Sequence, residues 1–168
     1  MIPVARKRGA SRIICVEPSA ERLENTKRLG ADVLVNPMKD DVVAAVMDAT
    51  EGLGADAVFT ANPIPATQEQ AIHLAKNRAR VNFFGGLPSG KSNVTLDTNL
   101  IHYKELFIHG THGSMPYHHK QAVDLIRSGT IDVTPFISHK FPLSRILEGF
   151  EAARSQAGMR VVIHPWEE

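Results

Sequence analysis

A single cysteine, Cys15, in 168 residues removes any internal disulfide from consideration. Charge of one sign is equally lacking. Nineteen Lys and Arg stand against eighteen Asp and Glu, and a formal charge of +1 provides no field that would draw a nucleic acid or an anionic membrane surface. The longest apolar runs are strand-sized, too short for a transmembrane helix. The opening MIPVARKR does not follow the basic, then apolar, then small-residue order of a secretory signal. The expected compartment is therefore the cytoplasm. What is present is an ordinary globular composition, 43% hydrophobic and 22% charged, at a length that suits one domain or one domain with a short appendage.

Short β-branched runs alternate with helical patterns along the chain. Residues 12–17 (RIICVE) form an apolar run of the buried parallel-strand type. Pro18-Ser19 then gives a helix start, with Glu21 and Glu24 in the first turns, and Gly30 gives its stop. Residues 32–35 read as the next strand. Val42, Val43, Val46 and Met47 form the stripe of a second helix, which ends near Glu51-Gly52. Residues 56–61 are a third strand, 66–76 a third helix and 80–84 a fourth strand closed by Gly85-Gly86. Repeated βαβ units of this kind predict a Rossmann-like, doubly wound α/β fold with a parallel sheet. Beyond them come a possible strand at 93–96, a polar helical turn, and a strand at 105–110. A helix over 117–128 with Ala122, Leu125 and Ile126 inward follows. A strand at 136–141, a helix over 144–155 and a strand at 160–164 complete the chain.

Ligands on doubly wound sheets bind outside the carboxyl ends of the strands. Glu17 occupies the first such position. An acid at the end of the second strand of a dinucleotide-binding unit accepts hydrogen bonds from the adenosine ribose, and its charge repels a 2′-phosphate, which favours NAD over NADP. A solvent-facing glutamate at a strand end is the competing reading, and the residue alone does not decide between them. Residues 1–9 read as the later part of a helix, so the first strand and its glycine loop are expected to be absent. Gly52-Leu-Gly-Ala-Asp-Ala57 matches G-x-G-x-x-A by letters only. It follows a helix and enters a strand, so its amides cannot meet a pyrophosphate at a helix N-terminus. In the usual order 3-2-1-4-5-6 the absent strand is central, and the sheet is expected to break there, exposing apolar surface and making stability depend on association.

The second half carries more specific motifs. Ile137-Ser-His-Lys-Phe-Pro-Leu143 followed by Glu148-Gly-Phe-Glu151 resembles the T-H-x-F-P-L…E-A-F-E segment of the zinc-dependent medium-chain alcohol dehydrogenases, on the sorbitol and threonine dehydrogenase branch. Arg22-Leu23…Leu29-Gly-Ala-Asp32, Gly85-Gly86 after a buried strand, and Asp97-Thr-Asn-Leu-Ile-His-Tyr-Lys-Glu105 support the resemblance. It implies the C-terminal half of such an enzyme, with residues 1–113 a truncated NAD-binding domain and 114–168 a segment that returns to the GroES-like catalytic domain. Those enzymes oxidise a secondary alcohol or polyol by hydride transfer to NAD, with zinc polarising the alkoxide. The zinc ligands lie in the family's N-terminal domain and match no position here, so no catalytic residue is assigned and the chain alone is expected not to turn over.

Cofactor contacts carry over residue by residue. The resemblance makes Glu17 the ribose acid and Arg22 the basic residue near the adenosine. It puts Thr60, Ala61 and Asn62 in the loop flanking the adenine side, and Gly85, Gly86 and Leu87 in the segment after the next strand. Thr111 and His112 fall in the turn whose backbone meets the nicotinamide amide. Strands near 93–96 and 106–108 lie towards the sheet edge in this family, which predicts a homodimer through those edges.

Other constellations are weaker. His109, His112, His118 and His119 are close in sequence, but adjacent His118 and His119 on a helix point about 100° apart, and no structural zinc spacing is present. His139 is read as a hydrogen-bonded strand histidine and Cys15 as a buried, inert thiol. Pro88-Ser-Gly-Lys91 lacks the glycine spacing of a phosphate loop. Two alternatives remain from other classes: a non-catalytic dimerisation or regulatory module on a dinucleotide fold, and a methyltransferase, in which the same acid grips the ribose of S-adenosylmethionine.

Overall fold

The computed structural model describes residues 1–155 and 158–167. The chain divides into two compact units, one of residues 1–34 with 115–168 and one of residues 35–114.

In the first unit, α1 (Ile2–Lys7) leads to β1 (Ile14–Val16), α2 (Ala20–Arg28) and β2 (Val33–Val35), whose last residue crosses the unit boundary; β1 pairs with β2. Helix α2 starts as its sequence dictates. The Ser19 hydroxyl accepts from the Arg22 amide at 3.3 Å, and Gly30 takes up φ +98° just beyond the last turn. One side chain ties α1 to the turn before β2. Arg6 donates to the carbonyls of Ala10 (2.7 Å), Ser11 (2.9 Å) and Gly30 (3.0 Å) and to Asp32 Oδ2 (2.5 Å), while the Ile13 amide donates to the same oxygen at 2.6 Å.

The rest of this unit is α6 (Pro116–Arg127), β6 (Ile137–Pro142), α7 (Ile146–Arg154) and β7 (Arg160–His164). Strands β6 and β7 run parallel, and α7 packs on both. Gly149 permits this contact: a Cβ there would meet Ile163 Cδ1 at 2.8 Å. The Ser138 hydroxyl accepts from the Met159 and Arg160 amides and donates to the Arg160 carbonyl, bridging the register shift between Ile137 and His139. The expected inward face of α6 is not found, since Ala122 and Ile126 are exposed and Leu125 alone of the three is half-buried. Amphipathic spacing identifies a face that can be buried without supplying the surface that buries it.

The second unit holds α3 (Val42–Ala49), β3 (Ala55–Thr60), α4 (Pro65–Leu74), β4 (Ala75–Phe83), α5 (Thr98–Tyr103) and β5 (Phe107–Gly110). Strands β3, β4 and β5 form one parallel sheet in that order, with Val58 opposite Val81 and Val81 opposite Ile108. This row faces Ala71 and Ala75 and forms the core with Ala79, Phe83 and Leu106. The other face carries Phe59, Arg80, Asn82, Phe107 and His109; Phe59 is 55% and Phe107 46% exposed. Helices cover both faces of a complete doubly wound sheet, so one face here is bare.

The sheet also breaks where the strand order predicts. Strands β1 and β2 form one pair and β3, β4 and β5 a separate sheet, the 3-2 and 4-5-6 runs of a doubly wound order. Two local expectations need correction. Residues 93–96 are not a strand: they lead without sheet pairing to the Asp97 cap of α5, and the Thr95 amide is taken by Glu69 Oε1 at 2.9 Å. Strand β4 starts five residues earlier than its apolar run, directly from the end of α4. Lys104 Nζ holds the Ala75 carbonyl at 2.7 Å, and Arg78, at φ +61°, sits in the irregular stretch before Arg80.

Candidate functional site

Each residue assigned to cofactor contact follows the carboxyl end of a strand or closes it. Glu17 follows β1 and Arg22 lies in the first turns of α2, both in the first unit; the other eight belong to the second unit.

Glu17 sits at the N-terminus of α2. Its Oε1 accepts from the Ser19 amide at 3.0 Å, and its Oε2 lies 3.9 Å from Arg22 Nε. The carboxylate is thus oriented by the backbone that follows it. It is 24% exposed, which leaves it able to accept from a diol. Beside it, burial pushes the Cys15 thiol above its ordinary range, assisted by the Glu17 charge and opposed by a hydrogen bond with Thr26 and by the chain's N-terminal charge. That thiol is half-buried and protonated, as expected of an inert cysteine.

In the second unit the loops after β3 and β4 interlock. The Gly85 amide donates to the Thr60 carbonyl at 2.7 Å. A Cβ on Gly85 would fall 2.5 Å from the Asn62 carbonyl oxygen, so this glycine is a packing residue, required for the close approach of two backbones. Asn62 is likewise engaged within the fold: its Oδ1 accepts from the Ile64 amide (3.1 Å) and the Thr67 hydroxyl (2.6 Å), closing the entry to α4. Ala61 and Gly86 are exposed and Leu87 is half-buried, and a Cβ on Gly86 would meet nothing within 4 Å. Thr60 is 5% exposed, and its Oγ1 is buried with no partner, an orphaned polar atom at a strand end where a ligand or water is expected.

Beyond β5, the Thr111 hydroxyl donates to Asn82 Oδ1 at 3.1 Å and its amide reaches the Phe83 carbonyl at 3.4 Å. Phe84, Thr111, His112 and Gly113 line an open cavity of about 280 Å³. Phe84, which beside Phe83 in the sequence reads as core, is instead 56% exposed at the cavity; Gly113 was not singled out by the sequence, and neither was Gln68, a 6% exposed residue whose Nε2 donates to the Gly85 carbonyl at 3.1 Å. Its spacing did carry a signal, because residues 68, 71 and 72 fall on one helical face whose other members are apolar.

The first unit presents a carboxylate acceptor at Glu17, and the second unit, by itself, presents exposed backbone at Gly86 and an aromatic-edged cavity beside Thr111 and His112. These residues do not fit zinc: among the described residues no three His, Cys, Asp or Glu side chains converge. His118 accepts from the Met115 amide at 3.0 Å, and His139 contacts Ser138 and stacks on Phe141, so both have structural partners.

The sequence is 37% identical over 164 residues to L-threonine 3-dehydrogenase from Pyrococcus horikoshii, covering 96% of this chain and 46% of that enzyme. The fold superposes on 2R,3R-butanediol dehydrogenase from Bacillus subtilis with a TM-score of 0.86 and 27% identity, covering 98% of this chain and 46% of the other. A zinc-binding-dehydrogenase homologue from Sinorhizobium meliloti 1021, bound to NADP, gives 0.89 and 26% over 98% of this chain and 48% of its own. The chain thus spans about half the length of the relatives it matches. The family profile described as zinc-binding dehydrogenase matches residues 1–128, more than half of the chain, and the chain belongs to the zinc-binding dehydrogenase family.

Proposed function

We propose that this chain forms the greater part of the cofactor domain of an NAD-dependent alcohol or polyol dehydrogenase, with residues 1–113 in that domain and 114–168 returning to the catalytic domain. The observation that carries the reading is Glu17, a carboxylate held at the end of β1 by the Ser19 amide. In this reading it accepts from the adenosine ribose hydroxyls. A 2′-phosphate there would meet like charge, which favours NAD over NADP. Arg22 lies beside the same carboxylate and steadies it near the adenosine. The NADP in the Sinorhizobium meliloti homologue belongs to that protein; the Glu17 charge is this chain's own reason to differ.

Thr60, Ala61 and Asn62 flank the adenine side, the backbone of Gly85, Gly86 and Leu87 supports the cofactor beyond it, and Thr111 and His112 meet the nicotinamide amide. Nicotinamide, when bound, accepts a hydride from the alcohol carbon. This chain's residues orient it and take no part in proton transfer, and the zinc ligands belong to the half of the relatives that the chain does not span. The substrate class follows the threonine and butanediol dehydrogenases it resembles, a small secondary alcohol. A homodimer through the exposed edge of β5 and a cytoplasmic location complete the reading. Amide nuclear magnetic resonance during an NADH titration tests it: shifts confined to the loops at 17–19, 60–62, 85–87 and 111–113 are expected, and their absence would overturn it.

A further inference from the structure

A glutamine at a core position of a helix costs more than a leucine unless its amide is bonded. Gln68 of α4 is 6% exposed on the face that also buries Ala71, and its Nε2 donates to the Gly85 carbonyl oxygen at 3.1 Å. That oxygen belongs to the peptide joining Gly85 to Gly86. In a trans peptide the C=O and N–H point in opposite directions, and every peptide of the described chain is trans. Holding the Gly85 carbonyl toward α4 therefore turns the Gly86 N–H away from α4. Gly86 is exposed, with nothing within 4 Å of its open side.

Two further contacts fix the Gly85 Cα and the peptide before it, so that the orientation of the Gly85–Gly86 peptide itself is left to Gln68. The Gly85 amide donates to the Thr60 carbonyl at 2.7 Å, and its Cα packs on the Asn62 backbone. We infer that Gln68 is a positioning residue that aims the Gly86 N–H out of the fold as a donor to an acceptor oxygen of the bound dinucleotide. The inference rests on the cofactor reading above. It differs from a packing role because leucine would fill the same space and leave the peptide free to flip.

The test uses the full chain, its Gln68→Leu and Gln68→Glu variants, and NADH as the probe, followed by amide resonances and calorimetry. In the unsubstituted chain the Gly86 amide should shift and gain exchange protection on adding NADH. Gln68→Leu should keep its melting transition and the protected Gly85 amide. It should lose the Gly86 response and weaken NADH binding roughly three- to tenfold, the net effect of one hydrogen bond. Gln68→Glu should behave like the parent at low pH, where a protonated carboxyl donates to the Gly85 carbonyl, and like Gln68→Leu once it ionises; burial raises the pH of that change. This pH profile serves if Gln68→Leu does not fold. A Gly86 response and NADH affinity unchanged by Gln68→Leu, or no pH dependence in Gln68→Glu, would overturn the inference. If the parent shows no NADH-induced shift at all, the cofactor reading fails. The positioning role is then decided by the free chain, where Gln68→Leu must alter the Gly86 amide shift and exchange to sustain it, and unaltered values overturn it.

Discussion

Gly85 lies against the backbone of Asn62 so closely that a Cβ on Gly85 would sit 2.5 Å from the Asn62 carbonyl oxygen and 2.8 Å from its amide nitrogen. The loops after β3 and β4 are thereby one packed object. Gly85→Ala must displace one of two backbones, and it should destabilise the chain by about 1–3 kcal/mol, the range for overpacking. Gly86→Ala, with open space at that position, should cost far less. Denaturant unfolding of the two variants side by side checks the contrast.

A second pair of glycines separates backbone conformation from packing. Gly52 (φ +81°) and Gly54 (φ +86°) both adopt the left-handed region, but a Cβ on Gly52 meets nothing while one on Gly54 falls 2.9 Å from the Leu74 carbonyl oxygen. Gly52→Ala should cost about 1–2 kcal/mol for conformation alone. Gly54→Ala adds a clash with the junction of α4 and β4 and should cost roughly 1–3 kcal/mol more, as measured by thermal melting.

The Arg6 guanidinium beside Asp32, with the Ile13 amide, holds the Asp32 carboxyl below its ordinary value of 3.8. A depressed folded pKa means that the carboxylate stabilises the fold above pH 3.8, and that this contribution is lost as the pH falls through the lowered value. Asp32→Asn should therefore melt lower than the parent near pH 7. The gap should shrink as the pH is taken below 3.8, and a gap independent of pH would contradict the assignment.

Cys15 supplies a prediction about reactivity. Burial raises its pKa and restricts access, so a thiol reagent should modify the native chain more slowly than the denatured chain at the same pH, and equal rates would contradict the assignment.

Elements whose signals are local were legible in the sequence. Ser19 caps α2 and Gly30 ends it because a hydroxyl and a missing Cβ act within one turn, and β7 occupies the expected 160–164. The break in the sheet was legible too, because strand order is a topological rule. What depended on distant partners was not. Residues 93–96 alternate like a strand, but no strand pairs with them, and a Glu69 carboxylate takes an amide instead. The strand-end residues were identified by position, while what they touch was not: Gly85 and Asn62 pack on each other, and Gln68, which holds their loop, was passed over because a buried glutamine reads like a solvent-facing one.

The most direct measurement is calorimetric titration of the chain and its Glu17→Ala variant with NADH and with NADPH. The parent should bind NADH more tightly than NADPH. Glu17→Ala should weaken NADH roughly tenfold, as loss of a charge-assisted hydrogen bond would, and narrow the difference between the two cofactors. Saturable heat from neither nucleotide, or affinities that Glu17→Ala leaves unchanged, would contradict a cofactor site built on the carboxyl end of β1.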